Sequence, residues 1–323
     1  MLSRRWLIAS LLVVGLAVPA FGQDKVTLKW KFEKDKAFYQ EMTSETTQNM
    51  KVQGSEIKNV QKQTFYFSWT PLEQDKDQKE AGTWKIKQKI EGVKMSIEIS
   101  GSPPITYDST KAEGAGNTPL GEFFKVLVNS EFTITVNKEM KVIKVEGRDE
   151  FIKKLGSANP QMEGLLKQIL SEDALKEMAD PTFAAIPVKE MPVGEKWERQ
   201  SKFDMGPIGK YDNTYKYAYE GKDKTNAKLD RIKIETTVKY IKPDDNAPTG
   251  GLPFKIKKAD LNAKKADGSI LFDNDKGRVE NSEQNLDLSG KLDIEIGGQT
   301  TTVELNQTQK MTVKTTDTNP VKK

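Results

Sequence analysis

The chain has 323 residues, of which 51 are Lys or Arg and 47 are Asp or Glu, and it contains no His and no Cys. This composition excludes disulfides, thiolate nucleophiles, imidazole bases and the usual zinc ligands. The formal charge is only +4. Because the Lys residues alternate with acidic residues and form no concentrated basic face, no nucleic-acid partner is predicted.

Residues 1–22 have the layout of a secretory signal peptide. Two arginines precede an apolar run at 6–18, and Ala20 and Gly22 are the small residues of a cleavage site before Gln23. No later apolar run approaches the ~20 residues of a membrane span, and no Cys follows the cleavage site to carry a lipid anchor. We expect an exported bacterial protein, in the periplasm, in the cell envelope or secreted, with no transmembrane segment in the mature chain.

Most of the remaining chain alternates apolar and polar residues with a period of two, which is typical of half-buried β-strands. The alternation is clearest over residues 93–100. It predicts that the first mature strand buries one face, formed by Val26, Leu28, Trp30 and Phe32. Phe65, Phe67 and Trp69 are predicted to be core residues on the same side of another strand.

Short polar or glycine-rich segments predict three hairpin turns, at 137–139, 273–277 and 297–298. The second segment reads Asp-Asn-Asp-Lys-Gly and superficially resembles a calcium loop. An EF-hand needs Gly at its sixth position, whereas Gly277 is fifth here. A turn is therefore preferred, and no metal is predicted.

Helical patterns interrupt the strands near the centre of the chain. Thr118 followed by proline predicts the start of a helix that reaches Val128. Residues 149–181 predict further helices, with Ser171 as an N-cap and an end before Pro181, since the residue preceding a proline disfavours helical geometry. One stripe of this passage is apolar and comprises Met162, Leu165, Leu166, Ile169 and Leu170.

A proline-rich connector at 181–194 suggests a boundary between two halves. The predicted organisation is an N-terminal β-rich half at 23–181 that ends in the helical passage, a C-terminal β-rich half at 182–314, and a frayed polar tail at 315–323. The predicted fold is mainly β, with two tandem curved antiparallel sheets, half-barrel-like, and a few short helices at the centre of the chain. The helical passage is interpreted as a hinge and lid.

Two groups of residues are candidates for ligand binding. Leu165, Leu166 and Ile169 must cover something apolar, which is either the core of the sheet or a ligand. The second group is a set of tyrosines along one face of a strand, and tyrosine offers both an apolar ring and a hydroxyl. The alternative for these tyrosines is cross-strand stacking on a half-exposed sheet. They are Tyr211, Tyr215, Tyr217 and Tyr219.

No phosphate-binding loop and no serine elbow is present, so the chain is predicted not to be an enzyme and to need no cofactor. A carboxylate-dependent hydrolase remains an alternative. It would require two carboxyl groups converging in a cleft at roughly 5–10 Å. Asp204 and Asp212 are possible members of such a pair, but nothing around them in the sequence distinguishes them.

The chain resembles an exported bacterial family known as domain of unknown function 6263. The matching segments are 38–43 (FYQEMT), 65–69 (FYFSW), 88–95 (QKIEGVKM), 145–151 (VEGRDEF), 204–209 (DMGPIG), 296–300 (IGGQT) and 315–320 (TTDTNP). Together they span nearly the whole mature chain. The resemblance implies no activity and brings no catalytic residues with it.

The leading hypothesis is a non-catalytic binding protein for an apolar or amphipathic ligand, such as a lipid. The alternative is a structural or interaction module of the cell envelope, whose protein partner the sequence does not indicate. A continuous apolar cavity beneath the helices would favour the binding protein, and a solid core would favour the module.

Overall fold

The computed structural model describes residues 25–75, 82–111, 119–158, 160 and 163–322. The predicted signal peptide, the predicted N-cap at Thr118 and Met162 of the apolar stripe lie outside these residues. Within them, no helix is both long enough and apolar enough to cross a membrane.

Strands dominate the secondary structure, as the period-two pattern predicts. The strands are β1 (Val26–Thr27), β2 (Phe38–Val52), β3 (Ser55–Asp75), β4 (Thr83–Ile99), β5 (Ile105–Asp108), β6 (Glu131–Val136), β7 (Val142–Glu146), β8 (Glu190–Met191), β9 (Lys196–Asp204), β10 (Lys210–Lys222), β11 (Leu229–Ile241), β12 (Phe254–Asp273), β13 (Arg278–Ile296) and β14 (Gln299–Thr316). The helices are α1 (Pro119–Leu127), α2 (Arg148–Ala158), α3 (Glu163–Ile169) and α4 (Glu172–Ala184).

Twelve of the strands form one antiparallel sheet. Its order is β7-β6-β4-β3-β2-β14-β13-β12-β11-β10-β9, and β5 pairs with β4 beside this path. The mainly antiparallel β fold with a few short helices is thus confirmed. The two predicted sheets are joined into one, however. Strand β2 pairs with β14 along its length, from Tyr39 opposite Thr316 to Val52 opposite Val303.

Glycines close the predicted hairpin between β13 and β14. Ile296 pairs directly with Gln299, so only Gly297 and Gly298 form the turn. Both have positive φ, 57° and 82°, which glycine adopts without the steric cost that a Cβ brings. The hairpins predicted at 137–139 and 273–277 are also confirmed, as the β6–β7 and β12–β13 turns.

The N-terminal segment enters the core without joining the large sheet. Leu28 and Trp30 are buried as predicted, but only Val26 and Thr27 form a strand, which pairs with β8. The predicted longer strand is therefore wrong. Apolar burial holds the rest of the segment, since the Trp30 ring lies 5.2 Å from that of Phe183 and 5.9 Å from that of Phe272.

Helix α4 does not end before Pro181 as predicted but continues to Ala184. Its last turn carries Phe183 and Ala184, both fully buried. The Trp30 indole N–H donates to the Phe183 carbonyl at 3.0 Å. This burial and this hydrogen bond offset the loss of the backbone hydrogen bond that Pro181, which has no N–H, cannot donate within the helix. Ser171 is the N-cap, as predicted, and accepts from the Ala174 N–H at 3.1 Å.

Helix α4 also lies between the two ends of the strand path, packing against both β7 and β9. The Asp180 carboxylate accepts from the Val142 N–H of β7 at 2.9 Å and lies 3.9 Å from the Arg199 guanidinium of β9. Arg199 also donates to the Glu139 carbonyl in the β6–β7 turn at 3.3 Å. The sheet therefore curls until its two end strands meet the same helix.

The segment from Thr315 onward, predicted to be a frayed tail, makes specific contacts with the sheet. Strand β14 extends to Thr316, and Thr315, the predicted start of the frayed tail, is only 2% exposed. Beyond the strand, Asp317 forms an ion pair with Arg278 at 2.6 Å, and the Asn319 amide donates to Glu91 at 3.2 Å. These contacts fix the segment against β4 and β13.

Candidate ligand-binding site

An apolar cavity of about 340 Å³ lies between the central helices and one face of the sheet. Alternation along the strands places every second side chain on this face. The floor is formed by Met42, Phe65, Phe67, Trp69, Ile134 and Val313. None of the described residues that line the cavity carries a charge.

The helices form the roof of this cavity. Each contributes the apolar side of an amphipathic helix, as helical spacing requires. The roof residues are Phe151 and Leu155 of α2, Leu166, Ile169 and Leu170 around α3, and Leu175, Met178 and Ala179 of α4. Met178 lines the cavity although it is 55% exposed, so it lies at the mouth.

Gln40 is one of the few polar residues in the cavity wall, and its side chain forms hydrogen bonds within the protein. Gln40 is buried, but its amide oxygen accepts from the Trp69 indole N–H at 2.8 Å and its amide nitrogen lies 3.4 Å from the Thr315 hydroxyl. Both polar atoms of Gln40 thus have a partner inside the protein. The wall around it is chemically apolar.

A second, open groove of about 560 Å³ lies beside the cavity on the same face of the sheet. Met311 of β14 lines the groove and Val313 lines the cavity. Two residues along a strand span about 7 Å and point to the same side. The two depressions are therefore neighbours along β14.

The groove differs from the cavity because carboxamides line it. Gln48 donates to the Gln307 amide oxygen at 2.8 Å and accepts from the Asn59 amide nitrogen at 3.1 Å, which gives a row of amides across three strands. Gln309 donates to the Ser44 hydroxyl at 3.1 Å. The Asn59 amide oxygen is buried and has no partner among the described residues.

Two of the four predicted tyrosines lie in the groove. Tyr211 and Tyr215 are half-buried and line it. No described residue forms a hydrogen bond with either hydroxyl, whereas the hydroxyl of neighbouring Tyr240 donates to the Ile208 carbonyl. Burial raises the pKa of Tyr211, and burial and the Glu177 carboxylate raise the pKa of Tyr215. Both phenols are thus neutral donors facing the groove.

The other two tyrosines belong to the core and are not available to a ligand. Tyr217 and Tyr219 are each 4% exposed. The Tyr217 ring stacks on Trp197 at 5.4 Å, and the Tyr219 hydroxyl donates to buried Asp230 at 2.7 Å. For this pair, the alternative of cross-strand stacking describes the structure better than ligand contact.

Of the three helical residues predicted to bind a ligand, two line the cavity and one does not. Leu166 and Ile169 line the cavity, as the ligand hypothesis requires. Leu165 is buried on another side of α3, where a Cβ placed on Gly250 would lie 3.3 Å from its Cδ1. It packs against the 243–253 loop and does not line the cavity.

Sequence reasoning missed the aromatic floor of the cavity. The pattern predicts Phe65, Phe67 and Trp69 as core residues, yet all three line the cavity. An unusually aromatic strand face opposite an apolar helical stripe is the signal that could have found them, because wide rings hold two layers apart. No comparable pattern in the sequence indicated that Phe151 and Leu155 of α2 line the cavity.

The two carboxylates considered for a hydrolase lie on the other face of the sheet. Phe203 and Tyr211 line the groove, so Asp204 and Asp212, their neighbours along the strands, point away from it. Asp204 is further engaged by the Lys210 ammonium at 2.9 Å and the Gly206 N–H at 2.8 Å. Neither carboxylate lies in the cavity or the groove.

Fold and site together define a mainly antiparallel β protein that holds an apolar cavity beneath three helices. The family model described as a family of unknown function (DUF6263) matches residues 81–277. The chain belongs to this family, which confirms the resemblance found in the sequence. No curated protein matches the chain in sequence.

Three solved structures that resemble this chain are distant likenesses. One is lipovitellin, described for its lipid–protein interactions (8% identity, TM-score 0.43), where the match covers 88% of this chain but only 25% of the lipovitellin chain. Others are DynF from Micromonospora chersina (8% identity, TM-score 0.20, 94% and 91% covered) and OccK5 from Pseudomonas aeruginosa (9%, 0.24, 88% and 99%). At TM-scores below 0.5 these likenesses carry no argument about function.

Proposed function

We propose that this chain is an exported, non-catalytic protein that binds an apolar or amphipathic ligand, such as a lipid, in the cavity beneath α2–α4. The observation that supports the proposal is the cavity itself. Its lining is almost entirely apolar, and its volume of about 340 Å³ falls within the range of small-molecule sites, roughly 300–1,000 Å³. A cavity of this size is costly to a folded protein unless something fills it.

A structural module of the envelope, the alternative, gains nothing from such a space. A module would be more stable with the helices packed directly on the aromatic floor, because interiors are normally close-packed. Exposed Met178 at the mouth further supports a binding role, since a flexible thioether adapts to varied apolar partners.

The proposal is tested on the mature protein purified without detergent. Extraction into organic solvent followed by mass spectrometry is expected to release a co-purifying amphiphile, and a fluorescent fatty-acyl probe is expected to bind the delipidated protein. Finding neither a released molecule nor probe binding would refute the function.

A cavity-filling variant ties the binding to this site. Ala179 lines the cavity on α4, so Ala179→Trp is expected to reduce probe affinity roughly tenfold or more by occupying the space. Lys153→Trp adds the same ring at an exposed position of α2 and is expected to leave the affinity unchanged. If the two variants bind the probe with equal affinity, the probe does not bind in this cavity.

Export is a separate part of the proposal and has its own test. Expression of the full chain in a bacterial host is expected to yield a mature protein that begins at Gln23 and leaves the cytoplasm. An intact N-terminus on protein retained in the cytoplasm would contradict export without bearing on the cavity.

A further inference from the structure

We propose that the ligand is an amphiphile with an uncharged, hydroxyl-rich headgroup, of the glycolipid type, whose acyl chain occupies the cavity and whose head lies in the neighbouring groove. This inference rests on the proposed function and adds the chemistry of the head. It is carried by the contrast between the two depressions on one face of the sheet.

The groove supplies neutral donors and acceptors. The Tyr211 and Tyr215 hydroxyls face it with no hydrogen-bond partner among the described residues, although tyrosines that are largely removed from water usually bond their hydroxyls to something. The amide row of Gln48 and Gln307 lies in the same lining. Carboxamides and phenols both donate and accept, as sugar hydroxyls do.

Charge distinguishes a sugar from an ionic head. No Lys or Arg occurs among the described residues that line either depression, and Asp267 is the one ionisable carboxylate in the groove lining. A fatty-acid carboxylate or a phosphate placed there would lose its hydration without gaining a cation, which is unfavourable. A neutral head loses no ionic hydration.

The groove lies close enough to the cavity for one amphiphile to occupy both. Met311 in the groove and Val313 in the cavity lie two residues apart on β14, about 7 Å. The Glu177 carboxylate of α4 accepts from the Lys202 N–H of β9 at 3.3 Å, and the next residue of β9, Phe203, lines the groove. Met178, the residue after Glu177, lines the cavity mouth. A chain entering beside Met178 would leave its head next to Tyr215.

Three amphiphiles with the same twelve-carbon chain test the proposal, each below its critical micelle concentration. Calorimetric titration of the delipidated mature protein is expected to show dodecyl maltoside binding roughly tenfold more tightly than dodecanoate or dodecylphosphocholine. The double variant Tyr211→Phe/Tyr215→Phe, which keeps both rings, is expected to lose most of that preference while binding dodecanoate as before.

Tyr66→Phe is the matched control, because it removes a hydroxyl from the opposite face of the same sheet and is expected to change nothing. If all three amphiphiles bind equally and the double variant behaves like wild type, the headgroup inference is wrong and the proposed function stands. If dodecanoate or dodecylphosphocholine binds best, the inference is also wrong. If none of the three binds, the proposed function fails with it.

Discussion

Tyr217 and Tyr219 show how two identical side chains on one strand can contribute differently to stability. Both side chains point from β10 into the protein core, and each is 4% exposed. The Tyr219 hydroxyl donates to Asp230, which is fully buried and also bonds the Lys222 ammonium at 3.0 Å. No described residue bonds the Tyr217 hydroxyl. The pair therefore separates ring packing from hydrogen bonding.

Tyr219→Phe is expected to lower the free energy of unfolding by about 1–3 kcal/mol, because a buried carboxylate loses a donor. Tyr217→Phe is expected to change it little or to raise it slightly, since it removes a buried hydroxyl that lacks a protein partner. Urea unfolding at neutral pH measures both. Equal losses in the two variants would show that ring packing alone determines the cost.

Alkaline pH is expected to unfold the protein through its tyrosines. Desolvation raises the pKa of Tyr211, Tyr215, Tyr217, Tyr219 and Tyr240. Because their folded pKa values exceed the unfolded value of about 10, their contribution is complete below that pH and is lost as the pH rises above it.

The measurement follows phenolate absorbance and far-ultraviolet circular dichroism together from pH 8 upward. Ionisation of these five phenols is expected to coincide with loss of the β signal. Their titration near pH 10 in a protein that keeps its β signal would contradict the expected shifts.

At this scale the sequence predicts which face a residue occupies but not its depth. Alternation correctly placed Tyr211, Tyr215, Tyr217 and Tyr219 on one side of a strand. Whether each lies in a groove or in the core depends on what covers that side, and this is determined by distant segments such as the one around Trp30. No local pattern contains that information.

Helix α4 is the element that joins the two ends of the curled sheet. Indole N–H groups from Trp30 and Trp197 bond the carbonyls of Phe183 and Ala185 at its C-terminal end, at 3.0 and 3.1 Å. Asp180 bonds β7 and lies near Arg199 of β9. Desolvation raises the pKa of Asp180, despite the opposing effects of the Val142 N–H and Arg199.

Two substitutions at Asp180 separate its charge from its hydrogen bond. Asp180→Ala is expected to cost about 1–3 kcal/mol, since the Val142 N–H loses its acceptor. Asp180→Asn keeps an acceptor oxygen and removes the desolvated charge, so at pH 7 it is expected to be at least as stable as wild type.

The pH dependence follows from the sign of the shift at Asp180. Because the folded pKa is raised, protonation favours the folded state, and the advantage of Asp180→Asn over wild type is expected to shrink as the pH falls toward 4. Chemical denaturation at several pH values measures this difference. An advantage that grows on acidification would mean that the attraction of Arg199 dominates.

For helix α4, the start was predicted correctly and the end was not. Ser171 caps α4 because a hydroxyl followed by acidic residues is a local signal. The continuation past Pro181 is not local, since it depends on burial of Phe183 among rings from two other segments, the one around Trp30 and strand β3. The roof role of Leu166 and Ile169 followed from helical spacing, but the outward turn of Leu165 depended on a loop some eighty residues away.

At the scale of the whole molecule, the pairing of β2 with β14 decides how the protein unfolds. The predicted boundary at 181–194 would separate two halves, yet this ladder makes their strands one sheet. Helix α4 adds contacts from the first half to β9 of the second. Both features predict cooperative behaviour.

The full mature chain is therefore expected to unfold in a single transition, with tryptophan fluorescence and circular dichroism coinciding. Segments 23–181 and 182–323, produced separately, are expected to show no cooperative unfolding, because each exposes a long unpaired edge, β2 or β14. Autonomous folding of either segment with a sharp transition would instead support two domains.

Period-two alternation predicted most of the strands, and polar or glycine-rich segments predicted the hairpins at 137–139, 273–277 and 297–298, because both signals depend on adjacent residues. The pairing of β2 with β14 could not be predicted, because every apolar strand face is a plausible neighbour for every other. The cavity was likewise anticipated only as one of two outcomes for the stripe around Leu166. The distance between roof and floor depends on the curl of the sheet.

The partnership of β2 and β14 also sets the order of events at the ribosome. Strands β2, β3 and β4 emerge early, and their neighbouring pairs can form at once. The other edge of β2 must wait until Gln299–Thr316 has been synthesised, after every other strand of the sheet. Such distant pairing makes folding slow, and until β14 is available the nascent chain carries an open strand edge. Completion of the sheet thus depends on its last strand, and a chaperone that shields the open edge of β2 would act until that strand is available.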